Sequence, residues 1–259
     1  VSVWRDGAPL VVGHRGGRGP GWPPENTLAA FDRARLEGAR AIELDVRTCA
    51  EGEAVVFHDP TLRAMSGSSD IRSVADQPLS TLRALDLGGG ARIPTLSEAL
   101  EWARGVGMGV NVELKSDVPN RRELVRATAR SLRACPADVL LSSFDPRLLA
   151  RIAAWAPSAP RALLTHVDQS RWVSVLQELV RPPLVSALHL ERLQAGAQAV
   201  HRYAGRGLWV GVWTVNDPAE AVDLVRRGAR WIITDRTGPV LQALRSANLD
   251  RSTGPSTGS

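Results

Sequence analysis

Residues 109–115 read GVNVELK. Successive side chains of a strand point to opposite faces, so Val110, Val112 and Leu114 share one face and Asn111, Glu113 and Lys115 the other. AIELDV at 41–46 repeats the arrangement, with Glu43 and Asp45 together on one face. Strands of this kind suit a parallel sheet whose apolar face packs on helices while the other face turns inward. Further β-rich runs occur at 9–14, 54–58, 138–144, 161–165, 184–190, 208–215 and 231–234. Helical patterns occupy 26–37, 95–105, 121–134, 146–155, 171–180, 191–205, 217–227 and 237–247. The alternation predicts a closed (β/α)8 TIM-like barrel in a single domain, with an open doubly wound sheet as second choice.

Nine strand candidates for eight barrel positions mean that one pairs outside the ring or is no strand. The connection 47–53 is too short for a helix, so the second and third strands join by a bare loop. An irregular insertion follows the third strand at 60–94. Asn26 and Asp217 read as helix N-caps, the second with Pro218 at the first helical position, and Gly38 and Gly228 read as helix stops. The barrel is expected over 1–250, and the polar, Gly/Pro/Ser-rich segment 251–259 is expected to be a disordered tail.

Composition narrows the classes. The chain has 259 residues, 44% hydrophobic and 23% charged, which is enough for one large globular core. No uncharged apolar run approaches the roughly 20 residues of a membrane-spanning helix, and Cys49 and Cys135 alone cannot frame a disulfide scaffold. Residues 1–12 carry Arg5 and Asp6 and lack the apolar core of a signal peptide, which favours a cytoplasmic location. The net charge is +5, yet the arginines are spread along helical faces without aromatic interleaving, so no nucleic-acid partner is expected. Among 32 basic residues only Lys115 is a lysine. Where Arg is the default cation, that marks a position wanting a compact ammonium.

Ligands of parallel α/β folds sit at the carboxyl ends of the strands. Those ends carry His14 and Arg15, Glu43 and Asp45, His58 and Asp59, and Asn111, Glu113 and Lys115. A salt-bridge network accounts for any one of them but poorly for the set, because each desolvated ion is costly and a structural interior avoids ions by using Val, Ile and Leu. Three converging carboxylates repel one another unless a cation sits among them. An all-oxygen donor set suits a hard divalent ion, Mg2+ or Ca2+. Two imidazoles suit proton transfer in both directions near neutral pH, and Arg15 and Lys115 supply the positive charge that a phosphate oxyanion needs. Together these residues point to metal-assisted phosphoryl chemistry.

The segments HRG at 14–16, PENT at 24–27, GARAIELDV at 38–46, VVFHD at 55–59, IPTLSEAL at 93–100, VNVELK at 110–115, WTVND at 213–217 and ITDR at 233–236 follow one another in that order. With them the sequence resembles the glycerophosphodiester phosphodiesterase family, relatives of phosphatidylinositol-specific phospholipase C on a TIM-like barrel. The resemblance implies hydrolysis of a small-molecule glycerophosphodiester to glycerol 3-phosphate and an alcohol. It implies Glu43, Asp45 and Glu113 as metal ligands, His14 and His58 as the acid/base pair, Arg15 and Lys115 as phosphate contacts, and Trp213 as an aromatic wall beside the glycerol. The base role is given to His14 and the acid role to His58, a division the sequence leaves open. Lysophospholipase D-like cleavage, a lyase stopping at a cyclic phosphate, and a binding module without turnover are the rivals. The loop 14–24, with Trp22, is a little longer than the family's, and Cys49, Glu51 and RAMSG at 63–67 also depart from its pattern; these changes bear on the choice of alcohol. His166 reads as a loop histidine, His189 and His201 as structural ones, and Cys49 as a small buried hydrophobe.

Overall fold

The computed structural model describes residues 2–64, 70–169, 175 and 184–250. Its strands are β1 (Leu10–Gly13), β2 (Ala41–Thr48), β3 (Ala54–Val56), β4 (Gly109–Leu114), β5 (Val139–Ser143), β6 (Arg161–Leu164), β7 (Ala187–Glu191), β8 (Trp209–Trp213) and β9 (Trp231–Thr234). Eight of them run parallel in the order β1, β9, β8, β7, β6, β5, β4, β2, and β1 pairs with β2 as well as with β9, which closes the barrel. The ninth candidate pairs outside the ring: β3 lies antiparallel on the far end of β2, with Val46 opposite Val56 and Thr48 opposite Ala54. A bare turn suffices there because antiparallel neighbours need no crossover helix.

The helices are α1 (Leu28–Leu36), α2 (Leu79–Ala84), α3 (Leu96–Val106), α4 (Arg121–Ala134), α5 (Pro146–Ala153), α6 (Ala197–Ala204), α7 (Pro218–Arg226) and α8 (Thr237–Ser246). Asp217 caps α7 through the amides of Ala219 and Glu220, with Pro218 at its start as expected. Asn26 does not cap α1. Thr27 does, its hydroxyl accepting from the Ala30 amide at 3.2 Å, while Asn26 turns inward at φ 58°. The helix expected at 191–205 is shorter, because extended backbone at Gly196 separates a turn at Arg192–Gln194 from α6. The insertion at 60–94 is less irregular than expected: short turns and α2 pack Leu62, Val74 and Leu82 onto Val55 and Ile93. The helix expected at 171–180 (Val175 apart) and the tail expected at 251–259 lie outside the described residues.

Two faces of the sheet do different work. Ile42, Leu44, Val46, Val110, Val112 and Leu114 are fully buried against Leu96, Leu100 and Leu124 of the surrounding helices. Inside, the amino end of the barrel is apolar: Leu10, Val12, Ala41, Leu140, Ala162, Ala187 and Trp231 fill it, and Trp4 closes it edge-on to Trp231. At β8 the absence of a side chain on Gly211 makes room for His189, since a Cβ there would stand 2.6 Å from the imidazole. His189 packs edge-on against Trp231 of this apolar floor, and the charged inward residues of β2 and β4 lie above it, towards the carboxyl end. Among the described residues no helix is long and apolar enough to cross a membrane.

Candidate active site

His14 opens a tight turn, His14–Gly16, immediately after β1. Gly16 sits at φ 88°, and a Cβ there would lie 2.7 Å from the Ala30 backbone, so this turn packs directly against α1 only because the residue is Gly. The turn directs the Arg15 amide onto Glu43 Oε2 at 3.0 Å. β2 and β4 are neighbours in register, with Glu43 opposite Asn111 and Asp45 opposite Glu113. That register gathers Glu43, Asp45 and Glu113 so that one carboxylate oxygen from each lies within 4.8 Å of the others, all three residues buried. His58 arrives from the β3 hairpin: the Phe57 amide donates to the Asp45 carbonyl at 2.9 Å, bending the chain back over the mouth.

The sequence-predicted residues therefore meet. His14, Arg15, Glu43, His58, Glu113, Lys115 and Trp213 all line one cavity of about 140 Å3, with Asp45 directly beneath Arg15 and Lys115. The opposite wall is apolar, formed by Phe144, Leu164, Trp213 and Ile233. Trp213 stands edge-on to Phe144, 5.6 Å between ring centroids, and its indole N–H donates to the His189 carbonyl. Trp22, by contrast, is not among the residues lining this cavity: it turns onto its own loop and lies 5.7 Å from the Arg33 guanidinium. Cys49 gives its thiol to Glu51, and burial raises its pKa, which leaves it inert at neutral pH.

Each histidine has an acidic companion. His14 Nδ1 lies 2.7 Å from Asp235 Oδ1, and His58 Nδ1 lies 2.5 Å from Asp59 Oδ1. An ionised carboxylate only accepts, so Nδ1 carries the proton and Nε2 is the free nitrogen in each ring. Asp235 is itself fixed by Arg18, through both carboxylate oxygens, and by Asn216 at 2.8 Å. Those hydrogen bonds, His14's foremost, outweigh burial and hold the Asp235 carboxyl well below the usual range. Burial pulls both imidazoles below their ordinary pKa, so both are readily neutral. The two differ in exposure: the His14 side chain is 9% accessible, the His58 side chain 34%.

Among the carboxylates, burial pushes Glu43 well above its ordinary pKa, and the charges of Asp45 and Glu113 push it further. Burial also raises Glu113, despite Lys115 at 3.0 Å. Asp45 goes the other way: Lys115 at 3.3 Å and Arg15 at 3.1 Å overcome its burial and keep it ionised. Arg15 also pairs with Glu25 at 2.8 Å. Three carboxylates thus face two cations in a buried space, which leaves room in the charge balance for a further cation. The donors are all hard oxygens, the chemistry that suits Mg2+ or Ca2+.

Asp235 belongs to the site although no sequence pattern marks it as a partner of His14; it stands at the carboxyl end of the last barrel strand, where such residues are to be sought. Asn26, expected as a cap, also belongs to the site. Asn26 instead clasps Asp45, its amide N–H donating to Oδ2 at 2.9 Å and its carbonyl accepting the Asp45 amide at 3.2 Å. Asn111 lines the same cavity with both polar atoms of its side chain unpartnered among the described residues.

A model of the Glycerophosphoryl diester phosphodiesterase family matches residues 14–239. A glycerophosphodiester phosphodiesterase of Caldanaerobacter subterraneus subsp. tengcongensis is 30% identical over 246 residues, covering 91% of this chain and 98% of its own. The structure of an Oleispira antarctica phosphodiesterase in complex with the product sn-glycerol-3-phosphate superposes with a TM-score of 0.80 at 29% identity, over 92% of this chain and 97% of that one. That of a Thermotoga maritima glycerophosphodiester phosphodiesterase gives 0.72 at 27% identity, over 92% and 99%.

Proposed function

The chain belongs to the glycerophosphoryl diester phosphodiesterase family, and we propose that it hydrolyses glycerophosphodiesters to glycerol 3-phosphate and the free alcohol by acid/base catalysis between His14 and His58. The observation that carries this reading is the convergence, in one small cavity, of two carboxylate-backed imidazoles on a buried carboxylate trio. The product held by the Oleispira antarctica relative agrees with it.

Glu43, Asp45 and Glu113 would hold a divalent ion, which when bound supplies Lewis acidity to a non-bridging phosphate oxygen and anchors a glycerol hydroxyl. The chain's own groups account for the proton movements. His14, buried and oriented by Asp235, takes the proton of the attacking glycerol hydroxyl at Nε2 as the new P–O bond closes a cyclic phosphate. The Asp235 carboxylate stabilises the resulting imidazolium without itself being protonated. His58, at the open side of the cavity, enters as the imidazolium and gives its Nε2 proton to the departing alkoxide oxygen as the second P–O bond breaks. Water, deprotonated at the vacated His58 Nε2, then opens the cyclic phosphate to glycerol 3-phosphate while the His14 imidazolium returns its proton to the glycerol oxygen. Arg15 and Lys115 contribute positive charge beside the phosphate. Trp213 and Phe144 offer an apolar wall to the carbon face of glycerol, and the amide of Asn111 can both donate to and accept from a hydroxyl.

The test is release of glycerol 3-phosphate from a panel of glycerophosphodiesters in the presence of Mg2+ or Ca2+, with His14→Ala as the control. Release by the wild type, and its loss by at least ~100-fold in the variant, is expected. No release from any diester by the folded, metal-supplied protein would overturn the reading.

A further inference from the structure

β2 continues beyond Asp45 to Arg47, a residue only 3% exposed, at the rim of the barrel. Arg47 does not itself line the cavity just described. Its Nε–H donates to the backbone carbonyl of His58 at 2.7 Å, and its Nη2 donates to both oxygens of Asp117 at 2.9 and 2.8 Å. Asp117 lies two residues beyond Lys115, in the loop that leaves β4. One planar fork therefore ties together the two loops that carry His58 and Lys115. Only a guanidinium can make both contacts at once, since an ammonium lacks the spread of donors.

His58 follows the three-residue strand β3 and stands outside the closed ring, so the barrel ladder does not hold it. Its backbone is fastened on one side by the Phe57 amide on the Asp45 carbonyl and on the other by Arg47 on its own carbonyl. The geometry points to Arg47 as a positioning residue for His58, acting with Asp117 to keep the imidazole at the distance that proton delivery to the leaving alcohol requires. This rests on the function proposed above. A displaced general acid loses part of the roughly 10²–10⁴-fold that proton transfer contributes. The loss falls on substrates whose alcohol must be protonated and spares one that leaves as a stable anion.

The experiment compares kcat for glycerophosphoethanolamine, an alkoxide leaving group, with kcat for glycerol 3-(4-nitrophenyl phosphate), which departs as nitrophenolate. Arg47→Lys keeps the buried charge, Arg47→Met removes it, and Asp117→Asn alters the clamp from its exposed end, where the fold has little at stake. The Arg47 variants are expected to lose at least ~10-fold on the ethanolamine diester and no more than about 3-fold on the nitrophenyl diester, with Asp117→Asn shifted in the same direction. His58→Ala should show the same selectivity, more strongly. Equal losses on both substrates, or no loss on either, with the wild type active on both, would overturn the role of Arg47 alone. A wild type that hydrolyses neither diester would remove the proposed function and this inference with it.

Discussion

At Asn111 a buried amide stands in the cavity with neither polar atom paired among the described residues, at 1% exposure. An unsatisfied buried polar group costs about 1–3 kcal/mol, and a glycerol hydroxyl, both donor and acceptor, matches what the amide offers. Asn111→Leu is close to isosteric and removes the unpaired atoms, so the barrel should fold at least as well. Its expected effect is on selectivity. The ratio of kcat/KM for a glycerol diester over an analogue lacking the terminal hydroxyl should fall by roughly tenfold, the worth of one neutral hydrogen bond. An unchanged ratio would take Asn111 out of the glycerol subsite. The same scale explains what one sequence can and cannot disclose about a site. Glu43, Asp45, Asn111, Glu113 and Lys115 were legible because strand alternation alone decides that they share a face. Asn26 was not: Asn and Thr are both competent caps, and what assigned the cap to Thr27 was the distant carboxylate of Asp45, which claims the Asn26 amide.

Elements were legible where local rules and tertiary packing agree. β2 and β4 followed from apolar residues at every second position, and α7 from the Asp217–Pro218 start. β3 was legible as a strand but not as a strand outside the ring, because β propensity reads the same in either place. The short connection 47–53 held the answer, since parallel neighbours need a crossover and only an antiparallel pair closes through a turn. That hairpin matters for chemistry: it brings His58 to the mouth from outside the eight-stranded ring, whereas His14 follows directly on β1 of the ring. Asp235 illustrates the converse. It sits where strand-end reasoning looks, at the end of β9, yet its meaning appears only when the closure of β1 on β9 brings it to His14.

The closed barrel also makes the whole molecule sensitive to acid through an imidazole that takes no part in the proposed proton transfers. His189 is fully buried in the interior beside Trp231, with neither ring nitrogen partnered among the described residues, and burial lowers its pKa from 6.5 to about 3. The unfolded chain therefore binds a proton that the folded chain refuses between those values. This contribution leaves stability intact above pH 6.5 and removes about 1.4 kcal/mol per pH unit as the pH falls towards 3. Denaturant unfolding of wild type and His189→Leu should show the difference between them shifting by about 3 kcal/mol between pH 7 and pH 4, in the variant's favour at low pH; parallel pH profiles would refute it. The barrel itself was the most legible level, because alternating strands and helices of these lengths admit few closed arrangements. At its carboxyl end two cations leave three buried carboxylates unbalanced, and metal dependence of turnover tests their role most directly. Glycerol 3-phosphate release should vanish after exhaustive chelation and return saturably with added Mg2+ or Ca2+, whereas full turnover in the chelated protein would contradict the assignment of Glu43, Asp45 and Glu113.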